Sequence, residues 1–332
     1  MLQGRPLYDN RADAALYVTP PEWAPIVRAI ARNLNVLLVG GRGVGKTTLL
    51  RQVQFTLRGS SERVPAFVDG TVTGDPMKLA SRIRDALVGC PGLVRSDAFT
   101  NPMAALAGDP TPPAAGVSRA YYALLQSLGE APAATVLLDA SSSADAVYGV
   151  FGRMRDTMWQ LPHTWVVAID EDDRASALKP PADAFFDTVV TLKPTSTNAL
   201  ADLLARRTPE ASSSTLARVA ALAHGNPRVA LRALGNAEVN DSDPAVGLTA
   251  RALLLDRASS LGRPYGMLMA ELLDRGQASP SDDALQRTLG LTRPRLTTLL
   301  RDLLEQRLVV AHVEKPEGPG RPRTVYRPAL DA

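Results

Sequence analysis

The chain has 332 residues, nearly half of them hydrophobic and few aromatic, with a net charge of +3. That length allows two or three domains with sizeable cores, and a single cysteine, Cys90, excludes an internal disulfide framework and fits a reducing compartment. No apolar run approaches a membrane span, no basic-then-apolar segment opens the chain, and His163, His224 and His312 have no metal-ligand spacing. The expectation is a cytoplasmic protein with no membrane partner.

In chain order, the first part runs to about Pro194 and alternates helix-like and strand-like segments. Helical patterns cover Pro21–Arg32, Thr47–Leu57, Pro76–Val88, Val117–Leu128 and Ala144–Gln160. Strand patterns cover Asn35–Val39, Val64–Val68, Thr135–Leu138, Thr164–Ile169 and Thr188–Leu192. Such alternation predicts an α/β layer on a mostly parallel sheet, with helices on both faces. The stretch Pro91–Pro113 is rich in Pro, Gly and Ala and reads as a long surface insertion.

Between the first strand and the helix after it stands NVLLVGGRGVGKTTLL, residues 35 to 50. Gly40, Gly45, Lys46 and Thr47 fill the pattern G-x-x-x-x-G-K-[ST]. Glycine lets the backbone curl so that N–H groups point at phosphate oxygens, and the helix N-terminus adds a favourable dipole. Gly40, Gly41, Gly43, Val44, Gly45, Lys46, Thr47 and Thr48 are the expected nucleotide-binding residues. Lys46 can reach the β- and γ-phosphates, and the Thr47 hydroxyl can hold Mg²⁺. A second Mg²⁺ anchor is expected at the end of a neighbouring buried strand, where Asp139 and Asp170 compete. Strand counting favours Asp139, because Thr164–Ile169 and Thr188–Leu192 then complete a five-stranded sheet. Asp170 falls at the tip of the adjacent strand, near the γ-phosphate or the attacking water. Glu171, Asp172 and Asp173 read as a solvated acidic turn.

The second part, about Thr195–Asn240, is helical by pattern: Ser196–Arg207, Ser214–Ala223, and a helix from Asn226 through Leu234. Glu238–Asp243 reads as a linker. In the third part, Tyr265–Arg275 is an apolar-striped helix and Ser281–Thr288 a short one begun by Ser281 and ended by Gly290. Thr292 caps a helix running through Glu305, with Pro294 in its first turn. Leu308–Val313, a Pro/Gly turn at Lys315–Pro322 and Thr324–Arg327 follow as a two-stranded ribbon. Helix, turn, helix and ribbon read as a winged helix, whose second helix enters the major groove and whose wing meets phosphate or minor groove. From Arg251 onward thirteen Lys/Arg face ten Asp/Glu, the whole net excess. Arg293, Arg295 and Arg301 on the helix, with Lys315, Arg321, Arg323 and Arg327 on the wing, are the candidate duplex-DNA contacts.

On the Gly40–Thr47 loop, the strands ending at Asp139 and Asp170, and the segment His224 to Arg228, the chain resembles the AAA+ class of P-loop ATPases. More narrowly, it resembles bacterial and archaeal ATPases related to the origin-recognition initiators. The resemblance implies an ATPase core (1–194), an all-α lid (195–244) and a winged-helix domain (245–332). It also implies ATP with Mg²⁺ as cofactors, Lys46, Asp139, Asp170 and Arg228 as the catalytic set, and Arg228 reaching the γ-phosphate from the lid. The segments near Tyr8–Asn10 and Val18–Trp23 would line the base. Two departures stand out. Ala140 occupies the position where that family places a water-polarising Glu, and loss of a positioned base costs about 10²–10⁴-fold in rate. No arginine stands just before the last strand, where a ring-forming member would present one to its neighbour's ATP; Arg174 is the nearest substitute. Both favour a slowly hydrolysing switch over a ring motor. The expected partners are double-stranded DNA and, beyond it, a helicase, nuclease or effector protein, with self-association left open. The competing readings are a STAND-type signalling or defence NTPase, whose winged helix packs on the core or on a partner protein, and an ATP-responsive transcription regulator.

Overall fold

The computed structural model describes residues 5–59, 63–71, 74–90, 118–141, 143–240, 243–314 and 322–330. The expected insertion Pro91–Pro113 lies outside the described residues, as do Lys315 and Arg321. The chain forms two compact units, Met1–Ser213 with His224–Leu231, and Ser214–Ala223 with Arg232–Ala332.

In the first unit, β1 (Val36–Gly40), β2 (Val64–Asp69), β3 (Ala134–Asp139), β4 (Thr164–Asp170) and β5 (Thr188–Leu192) form one sheet in the order β2-β3-β4-β1-β5. Every pairing in it is parallel. Successive side chains on a strand face opposite ways, and here both faces are covered. Leu37, Val39, Val136, Leu138, Val167 and Ile169 pack with Leu79, Ile83, Leu125 and Phe151 in one core. Val36, Leu38, Leu137, Val166 and Ala168 pack with Ile26, Ile30, Leu49 and Val53 in another. Two-sided burial explains why these strands read as unbroken apolar runs.

The helices Trp23–Ala31, Lys46–Arg58, Pro76–Val88 and Arg119–Leu128 match the sequence patterns to within two residues. The expected helix Ala144–Gln160 is broken. A turn of α-helix, Ala144–Val147, gives way to a π-helical turn at Tyr148–Gly152, and helix resumes at Arg155–Trp159. Gly149 is the reason on the packing side: a Cβ there would lie 2.2 Å from Cγ of Pro76. The glycine lets this segment touch the start of its neighbour, and the extra residue of the π turn takes up the register.

In the second unit, Pro244–Ser260, Arg263–Arg275, Asp283–Leu289 and Arg293–Glu305 are helices, followed by an antiparallel ribbon of β6 (Val309–Glu314) and β7 (Arg323–Pro328). Their core is Leu268, Met269, Leu272, Leu285, Leu296, Leu299, Leu300 and Leu303, closed by Val309 and Tyr326. The short helix is capped by Asp282 rather than Ser281, because the Asp282 carboxylate accepts the N–H groups of Ala284 (2.9 Å) and Leu285 (3.1 Å). The expected linker Glu238–Asp243 is shorter than its sequence suggests. The helix Pro227–Asn240 runs through its first half, and Asp243 caps the next helix by accepting from Ala245 at 2.9 Å.

Candidate nucleotide site and basic helix

The site forms where the sheet order reverses. β1 lies between β4 and β5, so the carboxyl ends of β1, β3 and β4 stand side by side, with Gly40 in register with Asp170. In open parallel sheets such a crevice is where ligands bind. Gly40 ends β1 in a tight place, where a Cβ would sit 3.1 Å from the Leu192 carbonyl oxygen. Gly43 (φ 80°) and Gly45 (φ 112°) take left-handed conformations that turn the loop into the helix Lys46–Arg58.

The Thr47 hydroxyl donates to the Asp139 carboxylate. The other Asp139 oxygen accepts from the Ser141 hydroxyl at 2.9 Å and from its N–H at 3.3 Å. A hydroxyl and a carboxylate side by side are the hard oxygen donors that Mg²⁺ takes, so these two residues fit the ion expected there. Lys46 is buried, and its ammonium donates to the carbonyls of Gly40 (2.8 Å) and Gly41 (2.9 Å) and to Asp170 Oδ1 (2.7 Å). Arg42, which the sequence pattern did not single out, lies with Nε 3.4 Å from Asp170 Oδ2. Glu171 and Asp172 are exposed, and Asp173 is half-buried. Burial pushes the Asp173 carboxyl above the usual range, the charge of Asp170 adds to this, and Arg42 opposes it.

The segment His224 to Arg228 folds against the loop apex. Asn226 Nδ2 donates to the Arg42 carbonyl at 2.8 Å and the Arg228 N–H to the Gly43 carbonyl at 3.4 Å. Gly225 (φ 75°) packs on the backbone of Thr195, whose carbonyl oxygen a Cβ there would meet at 2.5 Å and whose N–H donates to the Gly225 carbonyl at 2.9 Å. The Arg228 side chain is exposed. Asn226 also caps its helix, accepting from the Val229 N–H at 3.3 Å. That cap was legible as a helix start, but its bond to the loop was not. The N-terminal segment lies along the first turns of the helix Lys46–Arg58: Leu7 N–H donates to Thr48 Oγ1 (3.3 Å) and Gln52 to the Tyr8 carbonyl (2.8 Å). Tyr8 carries the guanidinium groups of Arg51 (4.4 Å) and Arg5 (4.7 Å) over its ring. In the second segment, Glu22 Oε1 accepts from the Lys193 N–H at 3.4 Å. The two N-terminal segments singled out in the sequence therefore both have partners within the first unit.

In the second unit, Arg293, Arg295 and Arg301 are exposed on the helix whose other side buries Leu296, Leu299, Leu300 and Leu303. Arg323 is engaged: Nη2 lies 2.7 Å from Glu314 Oε2 across the ribbon, in the register Glu314↔Arg323. Arg327 Nε donates to Gln277 Oε1 at 2.8 Å. Three of the predicted DNA residues thus share one helix, one is paired to a carboxylate, and Lys315 and Arg321 lie outside the described residues.

No protein-family model matches the chain. No curated protein matches it in sequence. Solved structures do. The chain is similar to the Aeropyrum pernix ORC1 protein, solved in complex with DNA, at 20% identity and TM-score 0.52 over 94% of this chain and 90% of that one. It is similar to Cdc6p from Pyrobaculum aerophilum at 14% identity and TM-score 0.50, over 99% of this chain and 94% of that one. The chain shares its fold with these two solved structures, on a five-stranded parallel sheet in the order β2-β3-β4-β1-β5.

Proposed function

We propose that this chain is an ATP-binding, slowly hydrolysing AAA+ type ATPase that binds duplex DNA and acts as a nucleotide-controlled switch or loader. The observation that carries the nucleotide reading is the meeting of Lys46, Thr47, Asp139 and Asp170 at the carboxyl ends of β1, β3 and β4. Mg²⁺, held by Thr47 and Asp139, would neutralise phosphate charge. Lys46 would bind the phosphates, and Arg228 would reach them from the helix after Gly225. The functional division is an ATPase core (1–194), a lid (195–244) and a winged helix (245–332).

Ala140 supports slow turnover, since its methyl is buried in the core and offers no base. The exposed Arg293, Arg295 and Arg301 support DNA binding, as does the fold shared with a protein solved on DNA. One observation favours the competing reading in which the ribbon docks on a partner protein: Val310 and Val313 on β6 are 51% and 67% exposed.

Fluorescence anisotropy of a labelled duplex, with MgATP, MgADP or no nucleotide at two salt concentrations, tests the proposal. Tight binding that weakens steeply with salt and differs between nucleotides is expected. Reversal of Arg293, Arg295 and Arg301 to Glu should abolish it while the melting temperature holds, because all three side chains are exposed. Binding that survives the triple reversal refutes this DNA site, and no binding in any state favours the protein-docking reading.

A further inference from the structure

The helix Pro244–Ser260 of the second unit carries apolar residues on two sides. Ala245, Leu248, Leu254 and Ala258 are buried. At about 100° per residue, Val246, Ala250 and Leu253 fall in a second row, away from the buried side. Val246 is 66% exposed and Leu253 58%, and Ala250 is half-buried. Arg257, also exposed, continues the row one turn beyond Leu253. Asp243, whose carboxylate caps the helix, stands at the other end. Thr249, Asp256 and Ser260 are exposed along one flank. An apolar row with charged ends and a polar flank is the composition of a contact surface, not of a solvated helix face.

We propose that this row is a self-association surface, covered by the same row of a second copy of the chain running antiparallel to it. The row matches itself when turned end for end. Counted from Ala250, Val246 lies four residues before and Leu253 three after, while Asp243 lies seven before and Arg257 seven after. A two-fold axis through Ala250 therefore sets Val246 of each copy against Leu253 of the other, and the Asp243 carboxylate of each against the Arg257 guanidinium of the other. Such a contact is isologous, with one patch serving both sides. A parallel pairing would set Arg257 against Arg257, so the charges select the antiparallel one. The small Ala250 at the crossing lets the two helices come close. Asp243 also accepts from Arg218 Nη2 at 2.7 and 2.6 Å. Its side chain is still 41% exposed, and a carboxylate has room for a second guanidinium. A strip about 20 Å long on a helix about 10 Å across buries a few hundred Å² per copy, less than the roughly 800 Å² of a standard interface. The pairing is therefore weak and concentration-dependent, with a dissociation constant on the order of tens of micromolar.

The test is sedimentation velocity of the full chain from about 1 to about 300 µM, for the wild type, Leu253→Glu and Arg257→Glu, joined to disulfide trapping under mild oxidation of Ala250→Cys and Ala252→Cys. The expected result is a monomer–dimer equilibrium in the wild type. Leu253→Glu should weaken it at least about tenfold, because a charge would be buried against Val246. Arg257→Glu should weaken it by setting like charges together, and more so at low salt than at high. Ala250→Cys, on the proposed axis, should form a covalent dimer faster than Ala252→Cys, which lies off the row; Cys90 is common to both. Because Ala250→Cys is a small change at a half-buried site, the trapping carries the test if thermal melting shows that a Glu variant is unfolded. A wild type that stays monomeric at every concentration overturns the proposal. So does self-association that survives Leu253→Glu, which would run through another surface. Equal trapping of the two cysteine variants overturns the antiparallel pairing about Ala250 and the proposal with it.

Discussion

His163 shows how one buried side chain makes stability depend on pH. It precedes β4, accepts the Ala134 N–H at Nδ1 (3.3 Å) and places Nε2 2.9 Å from the Leu128 carbonyl. An acceptor at Nδ1 and a donor at Nε2 is the neutral ring. Protonation would set a second N–H against Ala134. Burial pushes the His163 pKa below its ordinary 6.5, with the Leu128 hydrogen bond opposing and the charge of Arg63 assisting. The unfolded chain therefore takes up a proton that the folded chain refuses. This contribution to stability is complete above about 6.5 and is lost as pH falls from there toward the lower folded value. Urea titrations at successive pH values should show stability dropping through that window, and His163→Gln should flatten the drop. At this scale the phosphate loop was legible because its residues are selected by local backbone geometry. Arg42 and Asn226 were not, because their roles depend on Asp170 and on the loop carbonyls, residues distant in sequence and adjacent only after folding.

Among the elements, β1, β3 and β4 were readable because burial on both faces makes them unbroken apolar runs, while the edge strand β5 alternates buried and exposed residues. The segment Ala144–Gln160 was misread as one helix, since its apolar spacing is helical and only the contact of Gly149 with Pro76 reveals the interruption. The helix Pro244–Ser260 gave no pattern to find. It buries Ala245, Leu248, Leu254 and Ala258 but exposes Val246, Leu253 and Leu255, so its apolar residues surround it instead of forming a stripe. The helix Arg293–Glu305 is the opposite case: Leu296, Leu299, Leu300 and Leu303 form one buried stripe, and Arg293, Arg295, Arg301 and Glu305 are exposed outside it. Leu299 is fully buried on the apolar side. Leu299→Ala should cost about 2–5 kcal/mol, measurable as a shift in the urea midpoint followed by far-UV circular dichroism.

For the whole molecule, the cores of the two units share no residue, so unfolding should not be a single two-state transition. All three tryptophans, Trp23, Trp159 and Trp165, belong to the first unit. Tryptophan emission therefore follows that unit alone, while circular dichroism follows both. The two signals should separate along a urea titration. MgADP should move the emission midpoint upward by mass action, and Leu299→Ala should leave it in place. Coincident curves under all conditions would show instead that the units unfold as one. The burial of Ala140 bears on how such a molecule could acquire speed. Its methyl is fully enclosed and its N–H is committed to the Ala168 carbonyl at 2.8 Å, so a glutamate introduced there would carry its charge into hydrocarbon instead of toward a water molecule. On the proposed ATPase reading, faster hydrolysis does not lie one substitution at Ala140 away, and any route through that position would first have to rebuild the packing beneath β3.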